Sequence, residues 1–289
     1  MSGTVIPKHI FVLVIVIAAI TAVAAAVPFI VGGGPGPSEH ISVRGESVVL
    51  FGYGLYQHMP ADVAVQGLAQ DLVTLAIAVP LLLLSLSMAR RRSDVGYFLL
   101  TGTIGYLFVQ YTLYLAMAMY NALFLVWVAL VLLLFQVLVR LLLIGARDRI
   151  WPSPTPAVRR YVGGFLIANG ALIGLLWLSL IVPPILDGTL YPPGLAHFTT
   201  MIVQGFDLAL FLPPSLLAGF YYLRARKAGD LMAPVYSVFL SIQMVALLAK
   251  IVWMAATGAS AGPALVIIPL LPLGAVASAY LSLKPHAAR

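Results

Sequence analysis

Runs of about 20 apolar residues, separated by short polar or basic segments, recur along the whole chain of 289 residues. A run of this length crosses the roughly 30 Å hydrocarbon core of a bilayer as one α-helix. Hydrophobic residues make up 62% of the chain and charged residues only 9%, which is too few to cover a water-soluble surface. Helices satisfy their own backbone hydrogen bonds inside lipid. The pattern therefore predicts an all-α, polytopic membrane helical bundle with the lipid bilayer as its surroundings.

The apolar runs predict eight transmembrane helices. Their expected bounds are 9–31, 66–88, 95–118, 121–145, 161–184, 200–222, 232–256 and 263–283. The first run is longer than the apolar core of a typical signal peptide, so we expect it to be retained. Between the first two helices lies the longest outside segment, residues 32–65. Within it, the β-branched and aromatic stretch Ser47 to Tyr56 favours a short strand or an interfacial segment.

The basic residues indicate how the bundle is oriented. Of the 16 Lys and Arg residues, all but Arg44 and Lys250 fall on one side of this eight-helix scheme. Because short cytoplasmic loops are enriched in Lys and Arg, both termini are predicted to lie inside a cell (plasma) membrane. The net charge of +7 then follows from topology. It gives no reason to expect a nucleic-acid partner.

One short phrase occurs twice in the chain. The first copy is Gly54-Leu55-Tyr56-Gln57-His58, then Val65-Gln66-Gly67 and Asp71; the second is Gly194-Leu195-Ala196-His197, then Val203-Gln204-Gly205 and Asp207. A weaker match pairs Val109-Gln110 with Ile242-Gln243, and a proline-rich stretch from Trp151 to Pro156 separates the halves. We therefore expect a parallel 4+4 internal repeat, with residues 1–150 and 151–289 as its copies.

Charged residues inside the predicted spans mark a candidate binding site. Only Asp71, Asp207 and Lys250 clearly lie within spans, where each charge costs about 2.5–3.5 kcal/mol on insertion scales. Helical rise places all three about 8–10 Å below the outer surface. The uncharged polar residues expected beside them are Gln70, Gln204, Asn121 and Tyr114. Two carboxylates and one ammonium leave one negative charge for a cation or a proton, or else Lys250 forms a structural ion pair with one aspartate.

The histidines of the repeated phrase, His58 and His197, are weak candidates for a metal site. With the two aspartates they would supply two imidazoles and two carboxylates. They precede the aspartates by 13 and 10 residues, however, which is about 15–20 Å along a continuous helix. The chain contains no cysteine, which excludes thiolate ligands and disulfides. No catalytic residue and no cofactor is assigned.

These features favour a transporter or permease for a small solute or ion, with its polar site in the outer half of the bundle. Two other classes remain open. A non-catalytic membrane subunit would pack against other membrane subunits of a larger complex. A membrane-embedded enzyme would need His58 or His197 in a cavity together with an aspartate.

Overall fold

The computed structural model describes residues 6–148, 154–192, 194–256 and 270–284. In these residues the chain forms eight helices and one short hairpin. The helices are α1 (Lys8–Ile30), α2 (Ala61–Arg90), α3 (Asp94–Met117), α4 (Phe124–Asp148), α5 (Pro156–Leu186), α6 (Ile202–Leu223), α7 (Lys227–Ala256) and α8 (Leu270–Leu283). The strands are β1 (Ser38–Ile41) and β2 (Ser47–Leu50), which pair antiparallel.

Seven of these helices, α1 to α7, are long and apolar enough to cross a membrane. This confirms the predicted class, an all-α bundle of apolar helices. The eighth predicted span is only partly within the described residues, because 263–269 lie outside them. Its described part, α8, is apolar.

Three helix starts were predicted five residues too late, including that of α7, which begins at Lys227 and not at residue 232. Helix α2 begins at Ala61, directly after Pro60, and not at residue 66. Helix α5 begins at Pro156, where the Thr155 side chain accepts a hydrogen bond from the Val158 N–H. Hydropathy locates the part of a helix that lies in hydrocarbon, whereas capping residues and prolines fix where the helix itself begins.

The helix contacts form two rings. Helix α1 packs against α2 and α4, and α3 packs against both of these neighbours, which closes the first ring. Helices α5 to α8 repeat the same pattern of contacts. The rings meet mainly where α7 packs against α2 and α3. Accordingly, 56% of the apolar window of α3 is buried, against 17% for the peripheral α5.

Helices α2 and α6 share an irregularity. Each contains one π-helical turn, Thr74–Ala78 in α2 and Asp207–Phe211 in α6. A proline follows each turn closely, Pro80 in the first case and Pro213 in the second. Proline removes a backbone donor, and a π turn changes the local hydrogen-bond register, so both features bend a helix at this level.

The two irregular helices also end alike. Each is followed by one residue with a positive φ, Arg92 at 62° and Ala225 at 50°. The next helices then begin at Asp94 and Lys227. These pairs, like the two π turns, are separated by 133 residues in sequence.

Contacts between helix ends distinguish two ends of the bundle. At the basic end, the Arg90 guanidinium lies 4.6 Å from the centroid of the Phe11 ring, and Arg159 forms an ion pair with Asp230 at 2.6 Å. At the opposite hairpin end lie β1 and β2. The strand predicted within 47–56 is confirmed as β2, although it ends at Leu50. The chain then passes through a 3₁₀ turn, Gly54–Tyr56, to reach α2.

Candidate functional site

A cavity of about 240 Å³ lies between the two rings of helices. Its wall combines residues of α2, α3, α5, α6 and α7 with the segment that precedes α2. The polar residues in this wall are Tyr56, Gln66, Gln70, Gln110, Tyr114, Asn169, Trp177, Asp207, Tyr236, Gln243 and Lys250. The remainder of the wall is apolar, so these groups are concentrated in an otherwise hydrophobic interior.

Lys250 and Asp207 are the two charged residues of the cavity wall. The Trp177 indole N–H donates a hydrogen bond to Asp207 Oδ2 at 2.8 Å, which fixes the carboxylate between α5 and α6. The ion pairs among the described residues are Arg44–Glu46 and Arg159–Asp230, so Lys250 belongs to neither. The predicted alternative of a direct structural ion pair is therefore not the arrangement seen here.

Asp71 lies behind the cavity wall and is only 1% exposed. The Tyr56 hydroxyl donates to its Oδ2 at 2.7 Å, and the Tyr114 hydroxyl lies 3.1 Å from its Oδ1. The Tyr114 hydroxyl is also 3.0 Å from the Gly67 carbonyl. Gly67 has no side chain to displace Tyr56, since a Cβ there would lie 3.3 Å from the tyrosine ring. Two tyrosines thus satisfy the carboxylate from the cavity side.

Tyr56 lies outside the helices and remains a hydrogen-bond donor. Burial first, and then the nearby Asp71 carboxylate, raise the pKa of Tyr56 well above its usual value near 10. The hydroxyl is therefore protonated at physiological pH. It keeps the segment that follows the hairpin attached to α2.

A second network joins α2 to α3. The Gln70 side-chain NH₂ donates to the Tyr106 hydroxyl at 2.7 Å, and Thr74 Oγ1 donates to Gln110 Oε1 at 2.8 Å. These residues are buried, yet the network is incomplete. Four amide atoms in the cavity wall have no hydrogen-bond partner among the described residues: Gln70 Oε1, Gln110 Nε2, Asn169 Oδ1 and Gln243 Oε1.

Unpartnered buried polar atoms are costly, at about 1–3 kcal/mol each. The four amides come from α2, α3, α5 and α7, so they surround the cavity and do not belong to one local turn. Their positions make the cavity suited to a polar guest and poorly suited to an apolar one.

The cavity contains four of the seven residues predicted to bind a ligand. Asp207, Lys250, Gln70 and Tyr114 line it. The other three, Asp71, Gln204 and Asn121, do not. Asn121 instead closes the turn before α4, where its side chain bonds Ala118, Met119 and Leu123 backbone groups.

The aspartates are not at matching positions in α2 and α6. Asp207 is the first residue of its π turn, whereas Asp71 precedes its own π turn by three residues. In the register of 133 residues set by the π turns, Asp207 corresponds to Thr74 and Asp71 corresponds to Gln204. Lys250 corresponds to Met117. The repeated phrase paired Asp71 with Asp207 instead. It did so because the interval from Gly67 to the π turn of α2 is five residues longer than the interval from Gly205 to the π turn of α6.

Sequence reasoning missed four polar residues of the wall, Tyr56, Asn169, Trp177 and Tyr236. The Tyr236 hydroxyl donates to the Phe211 carbonyl at 2.8 Å and connects α7 to the π turn of α6. A sequence signal existed for Asn169, since it is the one asparagine within the predicted span 161–184. No comparable signal distinguished Trp177 or Tyr236 from ordinary membrane aromatics.

The two candidate metal-binding histidines lie at the hairpin end, outside the cavity wall. His58 is exposed, while the His197 ring packs at 5.5 Å against the His40 ring and at 5.4 Å against Phe198. The described residues contain no group of three or more His, Cys, Asp or Glu side chains suited to a metal ion. Neither histidine lies with an aspartate in the cavity wall.

Arg44 connects two segments that are distant in sequence, the hairpin and the stretch that precedes α6. Its guanidinium donates to the Phe198 carbonyl at 3.0 Å and also to the Ala196 carbonyl. It lies 5.5 Å from the centroid of the Tyr191 ring. Arg44 is the one outside arginine of the predicted topology, and here it fastens the hairpin onto the segment that precedes α6.

We expect acidification to loosen this contact between hairpin and segment. Burial first, and then the neighbouring His40, lower the pKa of His197 below 6.5, with the His58 carbonyl opposing. A depressed pKa gives stability that is complete above the unfolded value near 6.5 and is lost as the pH falls through the folded value. The distance between spin labels attached at Val43→Cys and Leu190→Cys should be longer, and its distribution broader, at pH 5.5 than at pH 7.5.

The control for this effect is His197→Gln, which cannot titrate. Arg44 and Glu46, which form an ion pair with each other, also face this contact. A pH response that persists unchanged in His197→Gln would assign the effect to another group, with His40 the nearest.

Removing either tyrosine hydroxyl on Asp71 should destabilise the protein. Tyr56→Phe and Tyr114→Phe each leave a buried carboxylate oxygen without its donor, at an expected cost of about 1–3 kcal/mol. Thermal unfolding in detergent measures the loss. Tyr53→Phe is the matched control, because Tyr53 lies in the same segment and is 48% exposed. Equal unfolding temperatures for all three variants would contradict the role given to the tyrosines.

The site is interpreted from its own chemistry. Comparisons with protein-family models, with curated proteins and with solved structures give no match for this chain.

Proposed function

We propose that this protein transports a small polar solute or ion across the cell membrane, with the cavity between the two rings of helices as its binding site. The observation that carries the proposal is the composition of the cavity wall. An ammonium without a direct ion pair and four incompletely bonded amides line a space deep inside an apolar bundle. Polar groups at this depth are costly in lipid and typically mark a solute pathway.

The two rings support a mechanism as well as a site. We propose that residues 1–150 and 151–289 are copies of one four-helix unit, related by an axis along the membrane normal. The shared ring contacts, π turns and helix ends support this relation. The cavity lies where the copies meet, so rocking of one copy against the other would expose it alternately to the two sides.

The hairpin contact fits this mechanism as a closure on one side. Arg44 of the first half binds carbonyl groups of the second half, so the contact must break when the halves separate at the hairpin end. Tyr56 and Met59, which follow the hairpin, form part of the cavity wall. With both termini in the cytoplasm, the hairpin end faces outward.

Single-cysteine accessibility tests the proposal without knowledge of the solute, because the chain has no native cysteine. Val63 and Leu240 both line the cavity, Val63 in the third residue of α2 and Leu240 nearer the basic end of α7. We expect Val63→Cys to react with a membrane-impermeant thiosulfonate from outside intact cells. Leu240→Cys is expected to react when the reagent is added to inverted vesicles, which expose the cytoplasmic face of the membrane to the medium.

The control is Leu172→Cys on α5, a side chain that is 60% exposed and surrounded by lipid in a membrane. A thiol in lipid does not ionise and should not react from either side. A cavity that is sealed from water, with both lining thiols as unreactive as Leu172→Cys, would overturn the proposal.

A further inference from the structure

The charges of the cavity wall constrain what the proposed transporter binds. One cationic and one anionic side chain, Lys250 and Asp207, line the same space on neighbouring helices α7 and α6. They do not pair directly, and each retains capacity for another partner. Asp71, the remaining membrane charge, is withdrawn behind Tyr56 and Tyr114. The wall thus has no net charge, but it has a cationic pole at Lys250 and an anionic pole at Asp207.

A ligand with a single charge would satisfy only one pole. An anion on Lys250 would leave the Asp207 carboxylate desolvated beside it, and a cation on Asp207 would leave the ammonium in the same condition. Leaving one partner of a buried charge pair unsatisfied costs several kcal/mol in general. A ligand that carries both charges satisfies both poles at once.

The size and the remaining surface of the cavity limit the ligand further. A volume of about 240 Å³ lies below the usual range for drug-sized ligands, about 300–1,000 Å³. The wall also contains a substantial apolar part, formed by Ile173, Phe239, Leu240, Met244 and Leu247 among others. A guest that fits has two charged ends close together and one compact apolar portion.

Building on the proposed transport function, we propose that the ligand is a small zwitterion of the α-amino-acid class with an apolar side chain. Lys250 binds its carboxylate and Asp207 binds its ammonium group. Asp207 is already oriented for this by the Trp177 indole N–H, which occupies Oδ2 and leaves Oδ1 for the ligand. The amides of Asn169 and Gln243 supply further hydrogen bonds, and the apolar portion packs against the hydrophobic wall.

Three probes that share the isobutyl group of leucine test the proposal. Leucine carries both charges, 3-methylbutylamine lacks the carboxylate, and 4-methylpentanoate lacks the ammonium. Binding to the purified full chain in detergent is measured by calorimetry and by the rise in unfolding temperature. We expect leucine to bind about 10- to 100-fold more tightly than either analogue, the usual effect of losing one hydrogen-bonded charge.

One variant then tests which end of the ligand Asp207 binds. Asp207→Asn should weaken leucine and 3-methylbutylamine about tenfold or more, while 4-methylpentanoate binds as tightly as before or more tightly. Asp187→Asn is the matched control, since Asp187 lies at the end of α5 and is bonded to Thr189 outside the cavity. The comparison of the three probes on the unaltered chain needs no variant, so misfolding of Asp207→Asn would not remove the test.

The outcomes separate this inference from the function on which it rests. Leucine binding no tighter than its singly charged analogues, or no binding of any probe to a cavity that cysteine labelling shows to be accessible, would overturn the zwitterion and leave a transporter of another solute. A cavity that labelling shows to be closed to water on both sides would overturn transport itself.

Discussion

Replacement of Lys250 by methionine should weaken the affinity for leucine by about 10- to 100-fold. The ammonium is the one cationic group of the cavity wall, so the variant leaves the ligand carboxylate without a counter-charge. Methionine is a suitable replacement because Met117 occupies the corresponding position on α3. It fills a similar volume and adds no new polar group.

The same variant should unfold at an equal or higher temperature than the original chain. Among the described residues Lys250 has no direct carboxylate partner, so its removal relieves the cost of a buried ammonium, while the Asp207 carboxylate keeps its hydrogen bond from Trp177. Loss of binding without loss of stability is the result that distinguishes a ligand-binding lysine from a structural one.

Lys227→Met is the control, because Lys227 begins the same helix and is exposed at the basic end. Calorimetry with leucine and thermal unfolding in detergent provide the two readouts. A Lys250→Met protein that binds leucine within twofold of the original affinity would contradict the assignment.

Replacement of Gly163 by valine should destabilise the bundle strongly, by about 3 kcal/mol, at the upper end of over-packing effects. Helices α5 and α6 approach closely here. A Cβ on Gly163 would lie 2.9 Å from the Gly219 carbonyl oxygen and 2.7 Å from the Leu223 side chain. The Gly219 carbonyl is backbone and cannot move aside by a rotamer change, so the added atoms force the two helices apart. Small residues at helix contacts serve this purpose in membranes.

The adjacent residue provides a matched control. Gly164 lies on the same helix, and a Cβ there would meet nothing within 4 Å. Gly164→Val should therefore cost little, since valine is no worse than glycine in a helix. Unfolding in mixed detergent with increasing dodecyl sulfate measures both variants. Equal losses at the two positions would show that the contact is not as close as described. Separation of α5 from α6 would also displace Trp177 from Asp207, so Gly163→Val should weaken leucine binding as well.

Local physics explains why the helices were predictable. The free energy of placing a side chain in hydrocarbon depends on that side chain and its depth, so a run of apolar residues indicates a span without reference to its neighbours. The strand within 47–56 followed similarly from its β-branched and aromatic residues. Helix ends were predicted less well. The start of α2 at Ala61 depends on Pro60 and on the hairpin that precedes it. Leu50, the last residue of the hairpin, forms a β-bridge with Pro60.

The composition of the site was only partly predictable. Asp207 and Lys250 were predicted to be site residues because charges are rare in spans, and both line the cavity. Asp71 was predicted for the same reason. It lies behind the wall, however, because Tyr56 and Tyr114 reach it from another segment and another helix. Asn169 and Trp177 lie on α5, and their inclusion depends on the contact of α5 with α6.

The sequence by itself determined the class of the protein, the approximate positions of its spans and the residues whose charges are costly in a membrane. These properties follow from transfer energies that act on one segment at a time. The tertiary structure decided which helices are neighbours, where the π turns of α2 and α6 lie, and which charges line the cavity. Those properties depend on contacts between residues far apart in the chain, such as Trp177 with Asp207, and on π turns that change a helix face without a clear sequence signal.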